Sequence, residues 1–134
     1  MFEAYFIDLG WLLFALFFGV AMGSMTGLIP GFHVNNVALI LLALSPVFLD
    51  WGIPLSAVAA IIVSTGTVHT FLNYIPSALL GAPDGDTALS LLPGHRMLLS
   101  GNASRGVAYS ARGSQLGLFL SLPLIIVARI AFGD

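Results

Sequence analysis

The chain has 134 residues, of which 58% are hydrophobic and 7% charged, with six acids, four arginines, no lysine and a net charge of −2. A soluble domain carries roughly a quarter of its residues as charges, so this chain cannot cover itself with polar surface, and a mean hydropathy of +1.02 places it in a lipid bilayer. No basic patch exists to hold nucleic acid, and the lack of cysteine excludes disulfides and thiolate metal sites.

The N-terminus has Glu3 and Asp8 where a signal peptide would be positive, and its apolar run continues to Ile29, so it reads as a retained membrane helix. A first span is predicted over 9–29, close to the ~20 residues a crossing needs, with Tyr5 and Trp11 in an interfacial aromatic belt. Gly19, Gly23 and Gly27 recur at four-residue spacing, which sets them on one face where a neighbouring helix approaches closely. The span breaks at Pro30-Gly31, and polar His33, Asn35 and Asn36 follow. Such a break, with a helix restarting beside it, suits a transporter's discontinuous helix. The restart's free amides and dipole would face a carboxylate; the plainer reading is a capping turn at the membrane surface, asparagine being a good N-cap.

Residues 34–49 form a second apolar run, short for a crossing: half of a re-entrant hairpin or a tilted span. A turn at Asp50-Trp51-Gly52 leads to a third span from Pro54, which turns polar at Ser64, Thr65, Gly66, Thr67, His69, Thr70 and Asn73 and is expected to end at Tyr74-Ile75-Pro76. Positions 66, 69, 70 and 73 share a helical face. That stripe either hydrogen-bonds between helices or walls a cavity that binds an anion or passes a proton through His69.

After the apolar fragment 77–80 comes the most hydrophilic turn of the chain, with Asp84 and Asp86 as turn and cap residues or, more speculatively, ligands of a coupling cation. A short helix over 87–92, a second Pro93-Gly94 break, a loop over 100–106 and a last span over 107–132 complete the chain. Arg96 is either a cytoplasmic anchor or a bidentate grip on a carboxylate; Arg112, Ser114 and Gln115 read as interfacial and Arg129 as snorkelling. Arg96, Arg105 and Arg112 put the 81–112 region in the cytoplasm by charge bias, and counting spans backwards puts the N-terminus outside. Residues 28–33 and 91–96 echo one another, two aliphatics, Pro-Gly and a terminal His or Arg, as a pair of repeated breaks would.

In this order, the glycine ladder into Leu28-Ile29-Pro30-Gly31, the segment from Ile75-Pro76-Ser77 to Gly81-Ala82-Pro83 and the block Leu92-Pro93-Gly94-His95-Arg96-Met97 resemble one family. It is the large permease subunit of tripartite tricarboxylate transporters (the TctA family), in its N-terminal half. Phe32-His33-Val34 and the charge of His95-Arg96 mark a divergent branch. The resemblance implies a secondary transporter for a small organic anion, working with a small membrane subunit and an extracytoplasmic binding protein. It also implies a longer permease of two related halves, so that this single transmembrane domain of 134 residues is expected to be one half joined by a second permease half, a truncated gene product, or a module that pairs as a homodimer.

The expected fold is therefore all-α: a polytopic membrane protein of about four apolar spans with Pro-Gly-broken, re-entrant helices. The expected substrate site is Pro30, Gly31, His33, Asn35, Asn36, Thr65, Thr67, His69, Thr70 and Asn73, assisted by Arg96. No cofactor is expected, only Na+ or H+ as coupling ion. A lipid-phosphate carrier translocase and a non-transporting membrane subunit are the competing readings. An enzyme is set aside, since neither a His-Glu-x-x-His nor a Gly-x-Ser-x-Gly motif occurs.

Overall fold

The computed structural model describes residues 9–81 and 88–133. Tyr5, Asp8, Asp84 and Asp86 lie outside the described residues. Among those described there are helices and turns and no strand: α1 (Leu9–Leu28), α2 (Val34–Ala43), α3 (Ser45–Asp50), α4 (Leu55–Leu72), α5 (Tyr74–Leu80), α6 (Ala88–Leu99) and α7 (Ala103–Phe132). Three segments are long and apolar enough to cross a membrane, Leu9–Leu28, Leu55–Leu80 and Ala103–Phe132, with Val34–Ala43 as a shorter apolar helix. The protein is an all-α polytopic membrane protein.

The glycine ladder sets the central contact. A methyl group built on Gly23 would lie 2.6 Å from the Thr65 carbonyl oxygen and 2.8 Å from Val68 Cβ; one on Gly27 would lie 3.0 Å from the His69 carbonyl oxygen; one on Gly19 would overlap the Ser64 hydroxyl. Only the absence of side chains lets the two backbones meet, which is how helices associate where burying apolar surface gives no drive. Toward the start of both helices, Ala15 and Ala57 are fully buried and pack with Val37, Leu41 and Ile61.

The register of these contacts fixes the topology. Gly19, Gly23 and Gly27 meet residues 61–64, 65–69 and 69–72 in ascending order, so α1 and α4 run parallel. The chain between them must return the way it came. It does so through α2 and α3, which the Leu44 N–H to Ile40 carbonyl (2.9 Å) and Phe48 N–H to Leu44 carbonyl (3.1 Å) bonds join into one helical path. Over residues 34–50 that path rises about 25 Å. The short second run is thus the return arm of the α1–α2 turn. After α4 and α5 ascend together, α7 runs back along them: Gly106 near its start lies by Tyr74, and Ser114, Gly117 and Ser121 further on share a cleft with Gly66, Thr70 and Phe71.

Three expected boundaries shift. The third span does not end at Pro76: α4 stops at Leu72, Asn73 keeps helical angles (φ −63°, ψ −20°) and α5 continues to Leu80 with Pro76 in its first turn, where a missing N–H costs little. The Pro93-Gly94 pair does not break the chain either, since both residues lie inside α6. Gly94 is buried, and a methyl on it would overlap the Tyr74 hydroxyl from α5, so this glycine serves helix packing. The echo between 28–33 and 91–96 therefore joins a turn to a helix interior, and the two segments are not structural equivalents. Finally, Arg105 and Gly106 belong to the first turn of α7 and not to a loop.

Candidate functional site

The α1–α2 break is built by its sequence. Pro30 offers no N–H to the Thr26 carbonyl, so α1 cannot continue. Gly31 then turns the chain with φ +89°, a left-handed angle that favours glycine. His33 takes extended angles (φ −96°, ψ 122°) as N-cap of α2, without a side-chain capping bond. The Asn36 N–H donates to the His33 carbonyl at 3.0 Å. Asn35 and Asn36 are thus first-turn residues and not the cap that sequence suggests. His33, Asn35 and Asn36 are exposed, at the positive end of a helix with no acid in its first turn.

Beneath this turn lies a cavity of about 10 Å³ lined by Thr26, Gly27, Pro30, Gly31, Asn73 and Ser77 among others, room for a single water-sized sphere. The structure therefore brings Pro30 and Gly31 against Asn73, two stretches separated by more than forty positions. The site is 7 residues, about 10 Å of helix, short of the end of the Leu55–Leu80 segment. Asn73 is 6% exposed, and its Nδ2 has no hydrogen-bond acceptor among the described residues. The Ser77 hydroxyl, 2% exposed, donates to the Asn73 carbonyl at 2.9 Å.

One turn back along α4 from Asn73, His69 is buried, with Nδ1 3.1 Å from Thr26 Oγ1. The hydroxyl proton of Thr26 goes to the Met22 carbonyl at 2.9 Å. With that proton on the Met22 carbonyl, the bond to His69 runs from Nδ1–H to the hydroxyl oxygen, the Nδ1–H tautomer of the neutral ring. Thr65, 1% exposed, has a hydroxyl without a hydrogen-bond partner among the described residues.

The expected 66–69–70–73 face is divided. His69 and Asn73, with Thr65, turn toward α1, whereas Gly66, Thr67 and Thr70 line a separate cleft of about 410 Å³ shared with Ser114, Gly117 and Ser121 of α7. Thr67 and Thr70 donate back to the Val63 and Gly66 carbonyls, each at 2.9 Å. The division follows from helix geometry: 65, 69 and 73 step back along one face at intervals of four, and 66, 67 and 70 lie on its flank. Arg96 is exposed in the last turn of α6, a helix packed on α5 and α7, and no cavity described above includes it.

Sequence reasoning passed over Thr26, and named Ser64, Tyr74 and Ser77 only as parts of a segment, without a role at the site. Thr26 carried a signal, since it lies seven residues after Gly19 and three after Gly23, on the ladder's own face. Ser64 completes the Gly19 contact and donates to the Ala60 carbonyl at 2.7 Å. Nothing in the local pattern marks Tyr74 or Ser77 apart from the neighbouring prolines.

The sequence model of the Tripartite tricarboxylate transporter TctA family matches residues 13–133. An uncharacterized protein of Methanocaldococcus jannaschii is 39% identical over 111 residues, which are 82% of this chain and 26% of that protein. The chain thus spans about a quarter of the length of the curated relative it matches. No solved structure matches. From a glycine-packed helix pair to the block at its C-terminal end, nearly the whole chain carries the family's pattern, and it belongs to the tripartite tricarboxylate transporter TctA family.

Proposed function

We propose that this chain is part of a secondary-transporter permease for carboxylate-type organic anions, ion-coupled, with the anion at the α1–α2 break. The observation that carries the reading is the break itself. A helix stops at Pro30, and a new one starts with exposed His33, Asn35 and Asn36 at its positive end, beside a segment of 26 residues long and apolar enough to cross a membrane. Polar side chains so near a membrane-crossing segment are costly unless used, and first-turn amides with the helix dipole are a ready anion site.

The cavity under the turn is too small for a tricarboxylate, so the anion sits on the outer, α2 side of Gly31. A cleft of about 340 Å³ lined by Asn35, Ala38, Leu39, Leu42 and Ile62 opens on α2, and the 410 Å³ cleft beside α7 is a second space large enough for it. The rest of the anion's shell comes from a second half of the permease or a second copy of this domain. Of α7, only Gly106 is buried, and its large apolar side chains from Leu116 to Phe132 are exposed, as befits a helix in lipid or against another bundle. A small membrane subunit and an extracytoplasmic binding protein are the expected partners, with the N-terminus outside and the 81–112 region in the cytoplasm.

The test is uptake of radiolabelled citrate into proteoliposomes under an imposed sodium or proton gradient, with Asn35→Ala and Asn36→Ala alongside. The expected result is gradient-dependent accumulation that both substitutions abolish without loss of insertion. Uptake unchanged in both variants would remove the break as the anion site.

A further inference from the structure

The last helix is longer than the membrane it crosses, and its excess is basic. At 30 residues α7 rises about 45 Å, against roughly 30 Å of hydrocarbon. Arg112 and Arg129 bracket its apolar part, so the first three turns, 103–112, stand in the headgroup layer. There Arg105, Tyr109 and Arg112 recur at intervals of four and three residues, which sets them on one helical face. All three are exposed, and the buried side of these turns is a different one, where Gly106 lies by Met97 and Tyr74. Arg96, also exposed, stands at the same level. It precedes by one turn the hairpin closed by the Ser100 N–H to Arg96 carbonyl (3.0 Å) and Arg105 N–H to Asn102 carbonyl (3.1 Å) bonds. No acid occurs from Ala88 to Gly133, so nothing on α6 or α7 neutralises these charges.

We propose that this face of α7 binds an anionic phospholipid, with the headgroup phosphate held by Arg105 and Arg112. A guanidinium meets a phosphate through two parallel hydrogen bonds, and Tyr109 between the two arginines suits the interfacial layer in which such a headgroup lies. The rest of the face distinguishes a lipid from a soluble anion. Continued at the same spacing, it carries Leu116, Phe119 and Leu120, exposed by 64%, 67% and 67%. This open apolar strip begins where the charge stops, and acyl chains lie along it while the arginines hold the phosphate. A free carboxylate or phosphate would use the arginines and leave the strip uncovered. The site needs only the bilayer and does not rest on the transport reading. It falls on the side that charge bias assigns to the cytoplasm, the leaflet that carries anionic lipid.

The test is native mass spectrometry of the purified protein in detergent, with phosphatidylglycerol and phosphatidylcholine supplied in equal amounts. The expected result is a retained phosphatidylglycerol adduct, preferred over phosphatidylcholine by roughly tenfold. Arg105→Gln combined with Arg112→Gln removes the preference; both side chains are exposed, so glutamine leaves the packing intact. Arg129→Gln makes the same charge change near the other end of α7 and keeps it. Equal retention of the two lipids overturns the site. A preference that survives the double substitution overturns it as well, and so does one that Arg129→Gln abolishes, since net charge alone would then account for it. Displacement of the lipid by citrate or inorganic phosphate would make the arginines a site for soluble anions and overturn the lipid. No transport is read, so these outcomes are independent of citrate uptake and of where the transported anion binds.

Discussion

The hydroxyl of Thr26 accepts a hydrogen bond from Nδ1 of His69 at 3.1 Å, across the glycine-lined contact between α1 and α4. The bond ties the last turn of α1 to α4 just below the point where α1 breaks. It is the bond of the Nδ1–H tautomer, because the threonine has already given its proton to the Met22 carbonyl.

Replacing Thr26 with Val keeps its shape and removes that acceptor. The buried Nδ1–H then loses this acceptor, at a cost of about 1–3 kcal/mol, while Thr26→Ser loses little beyond a methyl group. Equilibrium unfolding in mixed micelles measures the difference between the two variants. Nitrogen-15 NMR of labelled histidine reads the tautomer directly: protonated Nδ1 in the wild type, and a redistribution in Thr26→Val.

The three ladder glycines differ sharply from Gly113 and Gly117 of α7. Gly23→Ala forces its methyl against the Thr65 carbonyl, backbone that cannot step aside, and should destabilise by about 1–3 kcal/mol. Gly113 and Gly117 of α7 have nothing within 4 Å of an added methyl. There alanine should be neutral or stabilising by up to about 1 kcal/mol, since it is the better helix former. Thermal melts of the single substitutions, run side by side, give the comparison.

Gly94 and Tyr74 form a lock between α6 and α5. Gly94→Ala places a methyl on the tyrosine hydroxyl and should lower stability. Tyr74→Phe removes the obstructing oxygen and should restore part of the loss in the double variant. A double-mutant cycle with a coupling energy of about 1 kcal/mol or more is the expected outcome; strict additivity would mean that the two residues do not touch.

Much of the fold was legible because lipid imposes simple rules. Crossing-length apolar runs, a glycine ladder and a Pro-Gly stop each have one dominant physical meaning, and α1, its break at Pro30 and the long third span follow from them. What sequence could not distinguish is a Pro-Gly pair that breaks a chain from one that stays helical. At Pro30 the helix ends, with Gly31 at φ +89°; at Pro93 it continues, because Gly94 is needed as a seat for Tyr74. That choice depends on a side chain twenty positions away. The polar stripe was visible, but its division was not: His69 and Asn73 face α1 and Thr67 and Thr70 face α7 because helices pack on both sides of α4, which local spacing does not reveal.

The central claim, an organic anion seated at the start of α2, can be read chemically because the chain contains no cysteine. Asn36→Cys places one thiol in the exposed first turn of α2, and Ser110→Cys on α7 serves as a control. The rate at which a membrane-impermeant thiol reagent modifies each is measured in proteoliposomes with and without citrate. The account predicts that citrate slows modification at position 36 severalfold and leaves position 110 unchanged. Modification at position 36 at the same rate with saturating citrate, in protein that takes citrate up, would contradict it and send the anion to the cleft between α4 and α7.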